Sequence, residues 1–175
     1  MLSTVLGAVE FAMLAHGEQR RKYTNEPYIL HCLEVARMVE LHGGTEAMVI
    51  AAILHDVAED TPVKIVEIGA RFGYDVAVLV EELTDVSRPE DGNRAERKAA
   101  DCRHTAQASA DAQTIKAADL VSNSRSIVEN APAFARVYLV EKENLLKVMT
   151  KASPSLLQLA WDVLLEGKGK IYANC

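Results

Sequence analysis

The sequence predicts an all-α protein, one helical bundle of about eight or nine helices. Three observations lead there. Alanine is abundant while aromatic residues make up only 5% of the chain, a balance that favours helix over strand. Apolar residues recur at three- and four-residue spacing, and no segment keeps a sustained period-two alternation. The 9 glycines and 5 prolines are too few for a turn-rich sandwich. At 175 residues a single core is comfortable, so residues 1–175 are read as one domain.

The first helix is expected from about Ser3 to Ala15, on Val5, Val9, Ala12 and Met13. Gly17 to Glu26 is polar, carries Arg20, Arg21 and Lys22, and reads as a loop. Pro27 suits the first position of a second helix, whose face is Ile29, Leu33, Ala36 and Val39. Gly43-Gly44 stops it, and Thr45 caps a third helix with Val49, Ala52 and Ile53. Thr61-Pro62 begins a short helix that Gly73 ends. Asp75 to Thr84 follows, with Val76, Leu79, Val80 and Leu83 as its buried stripe. Ser87 to Ala110 is the most polar stretch, a loop running into a partly exposed helix. Ala112 to Val128 is helical, Ala131-Pro132 starts another helix, and Ser153-Pro154 caps the last, which holds Trp161 and Leu165.

Net charge and cysteine usage narrow the function classes. A formal charge of −6 argues against a nucleic-acid-binding surface, though not against a small polyanion met by a metal or a local basic cluster. The three cysteines are widely spaced, odd in number and without a CxxC pair, as in a reduced cytoplasmic chain. The longest apolar run, Ala47 to Leu54, is eight residues, far short of the ~18 of a membrane span. The apolar N-terminus carries Glu10 and lacks a basic stretch, so it reads as a helix and not as a signal peptide. Self-association is left open.

The chemistry concentrates at His55-Asp56 and Glu59-Asp60, at the end of the apolar third helix. Glu59 lies one turn beyond His55, and Asp60 one turn beyond Asp56. Three carboxylates ending a buried helix call for a cation, although a solvated helix end with a stray histidine reads the same bare pattern. His31 lies on the preceding helix, an antiparallel neighbour across the short Gly43-Gly44 connection. Asp119 stands among small apolar residues and needs a partner. Together His31, His55, Asp56 and Asp119 form an N/O donor set that suits Mn, Fe, Ni, Co or Zn, a hydrolytic centre if positions stay open to water.

At these residues the chain resembles the HD-domain phosphohydrolases. Within them it is most similar to the hydrolase domain of the RelA/SpoT alarmone enzymes, and especially to the standalone small alarmone hydrolases. The resemblance runs from about Phe11 to Ala160, with its blocks in order. These are Arg21-Lys22, Glu26-Pro27-Tyr28 and His31; His55-Asp56-x-x-Glu59-Asp60-Thr61; Phe72-Gly73 with Leu83-Thr84; and Lys116-x-x-Asp119-x-x-x-Asn123. It implies a single HD-domain helical bundle and hydrolysis of the 3′-pyrophosphate of ppGpp and pppGpp, giving GDP or GTP and pyrophosphate. It implies Mn²⁺ held by His31, His55, Asp56 and Asp119, and attacking water activated by Glu59 and Asp60. Arg21, Lys22 and Asn123 would contact the purine nucleotide, and Ser126 keeps the hydroxyl of a usual threonine.

Two departures bear on base specificity. Cys32 replaces a usual proline after His31, and the loop Arg20 to Glu26 lacks the usual Ser-Gly-Glu form. Relatives that prefer adenosine alarmones, remove the 2′-phosphate of NADPH, or act as general nucleotidases are the alternatives, with a non-catalytic nucleotide sensor beside them. Retention of all six site residues favours catalysis. Arg125 is a further candidate for phosphate contact, whereas Arg94, Arg97, Lys98 and Arg103 read as a solvated helix face. His16, His42 and His104 read as surface residues, and Cys32, Cys102 and Cys175 as packing or exposed thiols.

Overall fold

The structure is a computed structural model that describes residues 4–173. Cys175 and the expected helix start at Ser3 lie outside them. The described residues form α1 (Val5–His16), α2 (Ile29–Leu41), α3 (Glu46–Leu54), α4 (Val57–Asp60), α5 (Ile65–Phe72), α6 (Tyr74–Leu83), α7 (Arg94–Gln107), α8 (Ala110–Asn130), α9 (Pro132–Val148) and α10 (Pro154–Tyr172). Since α4 is one turn continuing α3, nine helices of substance remain, as expected of an all-α chain. Among the described residues the one β pairing is an isolated antiparallel bridge, Arg20 to Pro27. No described helix is long and apolar enough to cross a membrane.

The local signals explain most helix ends. Thr4 accepts from the Gly7 amide at 3.1 Å, and Ser109 accepts from Ala112 at 3.2 Å. Asn93 accepts from the Ala95 and Glu96 amides while Glu96 accepts from the Asn93 amide, a reciprocal box that starts α7. Gly43 takes φ of +83° and Gly44 packs against Val39 with no room for a Cβ, so the α2–α3 turn needs both glycines.

Two expected starts move, and a third stands where expected but without its side-chain cap bond. Pro27 does not open α2: it pairs with Arg20 across a hairpin-like loop, and α2 begins at Ile29. Thr61-Pro62 does not open α5, because the Thr61 hydroxyl donates back to Val57 O at 2.7 Å and accepts from Val63 N, finishing α4. Ser153 precedes α10 without a side-chain cap; its hydroxyl meets that of Ser155 instead.

Helix α3 lies at the centre, with every residue from Met48 to Leu54 buried, packed by α1, α2, α6 and α8. The 21-residue α8 runs alongside and also meets α9 and α10, its Ile115, Leu120 and Val121 filling the core with Leu139, Leu156 and Leu164. Burial on this scale is the main stabilising term, at roughly 25 cal/mol per Å² of apolar surface. It also sets α2, α3 and α8 side by side, and each brings one part of the site.

Candidate functional site

His55 and Asp56 stand at the joint between α3 and α4. α3 ends at Leu54, and Asp56, with φ −97° and ψ −5° at the edge of the right-handed helical region, precedes the single turn of α4. The pair therefore sits on the break that ends α3, at the end of the apolar helix as expected. The His55 ring is buried, and its Nδ1 donates to Ala52 O at 2.7 Å, so Nε2 is the free lone pair.

His31, on α2, reaches the same point. Its Nδ1 lies 2.9 Å from Ser122 Oγ, and that hydroxyl donates onward to Glu34 at 2.6 Å, so Nδ1 carries the proton here too. The two Nε2 atoms are buried and have no hydrogen-bond partner. Around them stand two carboxylates. Asp56 Oδ2 lies 3.0 Å from His55 Nε2 and 3.6 Å from His31 Nε2; Asp119 Oδ1 lies 3.2 Å from His31 and 3.7 Å from His55. Two orphaned nitrogens facing two carboxylates fit a divalent cation, since both lone pairs and both charges then find one partner. His31, His55 and Asp56 alone offer three donor atoms within 4.8 Å of one another, and Asp119 stands as a fourth.

The electrostatics agree. Burial works against charge on His55, but Asp56 and Asp119 outweigh it and hold its pKa well above the ordinary value. Burial also opposes ionisation of Asp119 and Asp56, yet the two imidazoles keep both well below the usual carboxylate range. A field that would hold protons here holds a cation equally well.

An outer ring orients these groups. The Tyr28 phenol donates to Asp56 at 2.5 Å, and burial followed by that carboxylate pushes its pKa far up. Asn123 donates to Asp119 at 2.6 Å, and Arg21 reaches Asn123 at 3.5 Å, Ser122 at 3.4 Å and Glu34 at 3.5 Å. Ser126 lies two turns beyond Asp119 on nearly the same face of α8, half-buried. Lys22 is exposed and lies over the Tyr23 ring.

Glu59 and Asp60 occupy the exposed turn α4. Glu59 accepts from the Asp85 amide at 3.2 Å, and burial of its carboxyl plus the Asp85 charge raises its pKa. Asp60 accepts from Gln19 at 2.8 Å. Behind Asp85 stands a lysine cluster: Lys98 at 2.8 Å, Lys116 at 3.5 Å, and Lys142, which makes no ion pair or hydrogen bond among the described residues. Asp85 is held down to about 2, first against burial and then by Lys116 and Lys98.

Four expectations are corrected. Lys98 turns inward to Asp85 and Asp101, and Arg94 is bound bidentately by Glu141, so this side of α7 is not a merely solvated face. Arg125 points away from the Asp119 side of α8, into a groove with Glu166 and Lys170. His16 is not a surface residue: it is 6% exposed. His42 and His104 are half-buried, His42 bonded to Ser155 at 2.8 Å. Ser122, Glu34 and Gln19 escaped the sequence reading; only their i+3 spacing to named site residues could have flagged them.

Residues 8–145 match the family model for the HD domain. The probable guanosine-3′,5′-bis(diphosphate) 3′-pyrophosphohydrolase of Synechocystis is 41% identical over 125 residues, 70% of this chain but 16% of that protein. The guanosine-3′,5′-bis(diphosphate) 3′-pyrophosphohydrolase MESH1 of Xenopus tropicalis is 40% identical over 131 residues, 73% of this chain and 72% of its own. The solved structure of a metazoan ortholog of SpoT that hydrolyzes ppGpp superposes with a TM-score of 0.83 at 27% identity, covering 93% of this chain and 94% of that one.

Proposed function

This chain belongs to the HD-domain family, and from that premise we propose that it is a metal-dependent pyrophosphohydrolase that removes the 3′-pyrophosphate of ppGpp and pppGpp. The observation that carries the reading is the pair of buried, unpartnered Nε2 atoms facing Asp56 and Asp119. We assign His31, His55, Asp56 and Asp119 as ligands of Mn²⁺. When bound, such an ion lowers the pKa of a water and withdraws charge from a phosphoryl oxygen.

The protein groups supply the rest. Glu59 and Asp60, on the exposed turn beside the ligands, accept the proton of the attacking water and aim it at the phosphorus bonded to the ribose 3′ oxygen, so that pyrophosphate leaves whole. The raised pKa of Glu59 brings it nearer the working pH of a general base. Arg21 and Asn123 flank the nucleoside, with Lys22 and Ser126 at the rim. Half-buried or buried thiols at Cys32 and Cys102, both free, suit work in the cytoplasm.

The test is turnover of ppGpp, ppApp and NADPH side by side with added Mn²⁺, resolving the products. Release of pyrophosphate from ppGpp is expected; cleavage of NADPH alone would replace the substrate, and no cleavage of any would overturn the enzyme reading. The double variant Glu59→Gln with Asp60→Asn should keep bound Mn²⁺ and lose about 10²-fold or more in kcat, because each amide retains shape but accepts no proton. Wild-type kcat in that variant would strip both carboxylates of their role.

A further inference from the structure

Asp60 is exposed and sits on a single turn of helix, a poor place to hold a reacting carboxylate in one rotamer. Its side-chain partner among the described residues is Gln19, whose Nε2 donates to Oδ2 at 2.8 Å. A carboxylate only accepts, so the Gln19 amide must turn its NH₂ towards Asp60 and its Oε1 the other way. That Oε1 lies 2.8 Å from His16 Nδ1, which must then be the protonated nitrogen. His16 Nε2 is left as an acceptor, and Cys32 Sγ stands 4.0 Å from it. One charge thus fixes the direction of every hydrogen bond in the chain Cys32, His16, Gln19, Asp60.

The anchor is firm. His16 is 6% exposed, closes the last turn of α1, and its ring lies 4.8 Å from that of Tyr28. The backbone of Gln19 is held on both sides: its amide donates to His16 O at 2.9 Å, and its carbonyl accepts from Tyr28 N at 3.0 Å. Tyr28 in turn donates to Asp56. The segment between α1 and α2 therefore clamps two carboxylates one turn apart, Asp56 through a phenol and Asp60 through an amide. The same segment carries Arg21 and Lys22.

We propose that Gln19, locked by the buried His16, is the positioning residue of Asp60, tying the placement of the catalytic carboxylate to the loop that bears Arg21 and Lys22. This rests on the catalytic reading of Asp60 given above. The amide points one carboxylate oxygen and leaves the other free to receive a proton from water. A loose Asp60 would sample several rotamers, and ångström-scale misplacement of a reacting group is costly in rate.

Two measurements on the full chain test it. In metal-free protein, the ¹⁵N shifts of His16 should show Nδ1 protonated and Nε2 bare, and Gln19→Leu should shift the ring to the ordinary Nε2–H tautomer. An Nε2–H ring in the wild-type protein overturns the clamp, whatever the substrate proves to be. In turnover of ppGpp with Mn²⁺, Gln19→Leu should lower kcat about tenfold or more with KM within about twofold. Added to Asp60→Asn, it should cost nothing further. Independent, additive losses would mean that Gln19 acts only on the fold. His16→Phe, which keeps the ring on Tyr28 but removes the N–H, should reproduce the kcat loss, and wild-type kcat there would refute the anchor. Absence of ppGpp cleavage by the wild-type protein would count against the proposed function and not the clamp, which the tautomer decides alone.

Discussion

Ser122 bears no charge, yet His31 depends on it. The imidazole needs an acceptor at Nδ1 to keep Nε2 bare, and Ser122 Oγ is that acceptor because its own proton is spent on Glu34. Ser122→Ala should lower Mn²⁺ affinity by about 10- to 100-fold in a calorimetric titration while leaving the fold intact. Unchanged affinity would remove Ser122 from the site. Glu59 gives a pH test. Its pKa is raised in the folded chain, by burial first and by Asp85 second, so the folded state binds that proton more tightly than the unfolded chain does. Its contribution to stability is then favourable below the ordinary carboxylate value of 4.5 and is lost as pH rises through the raised one. In metal-free protein, Glu59→Gln should therefore raise Tm at pH 7 and converge with wild type near pH 4; a lower Tm at pH 7 would contradict the sign. At this scale the proposed ligands were legible because His-Asp and a lone buried Asp are costly without a cation. Ser122, Glu34 and His16 were not, because each is an ordinary helix residue until the fold supplies its partner.

Helices announced themselves where their ends are chemical. Gly43-Gly44 and the Thr45 cap were readable, since a left-handed φ and an N-cap need those residue types. The start of α5 was not, because Thr61 can cap forward or close backward, and only the position of Val57 O decides. The break between α3 and α4 makes α3 the lever of the site: Ile53, 1% exposed, packs two residues before His55. Ile53→Ala should cost about 2 to 5 kcal/mol in urea unfolding, through lost burial plus the cavity left behind. Metal affinity should fall with it, as the joint gains freedom to shift. A destabilisation below about 1 kcal/mol would show that α3 is not the tightly packed centre described.

Across the whole molecule, the site joins three helices distant in sequence: His31 on α2, His55-Asp56 after α3, and Asp119 on α8. Their packing brings the helices together without help, since α2, α3 and α8 share one apolar core. What packing does not relieve is the cost of two bare imidazole nitrogens shut away from water beside two carboxylates. Protons answer that cost in part, which is why both histidine pKa values are raised. A divalent ion answers it fully and binds only the folded arrangement, so it should stabilise by RT ln(1 + [Mn²⁺]/Kd), about 2.7 kcal/mol at a hundred times Kd. Thermal unfolding should accordingly move upward with Mn²⁺ and return with chelator, while the helical signal before the transition stays the same. Protons and metal compete for one set of donors, so the Mn²⁺-induced rise in Tm should shrink as pH falls through the raised histidine values. His55→Ala and Asp119→Ala should fold yet lose the Mn²⁺ response and the bound metal together. A chain whose Tm ignores Mn²⁺ at neutral pH, or an His55→Ala variant that keeps full metal content, would mean that the ligand set is wrong.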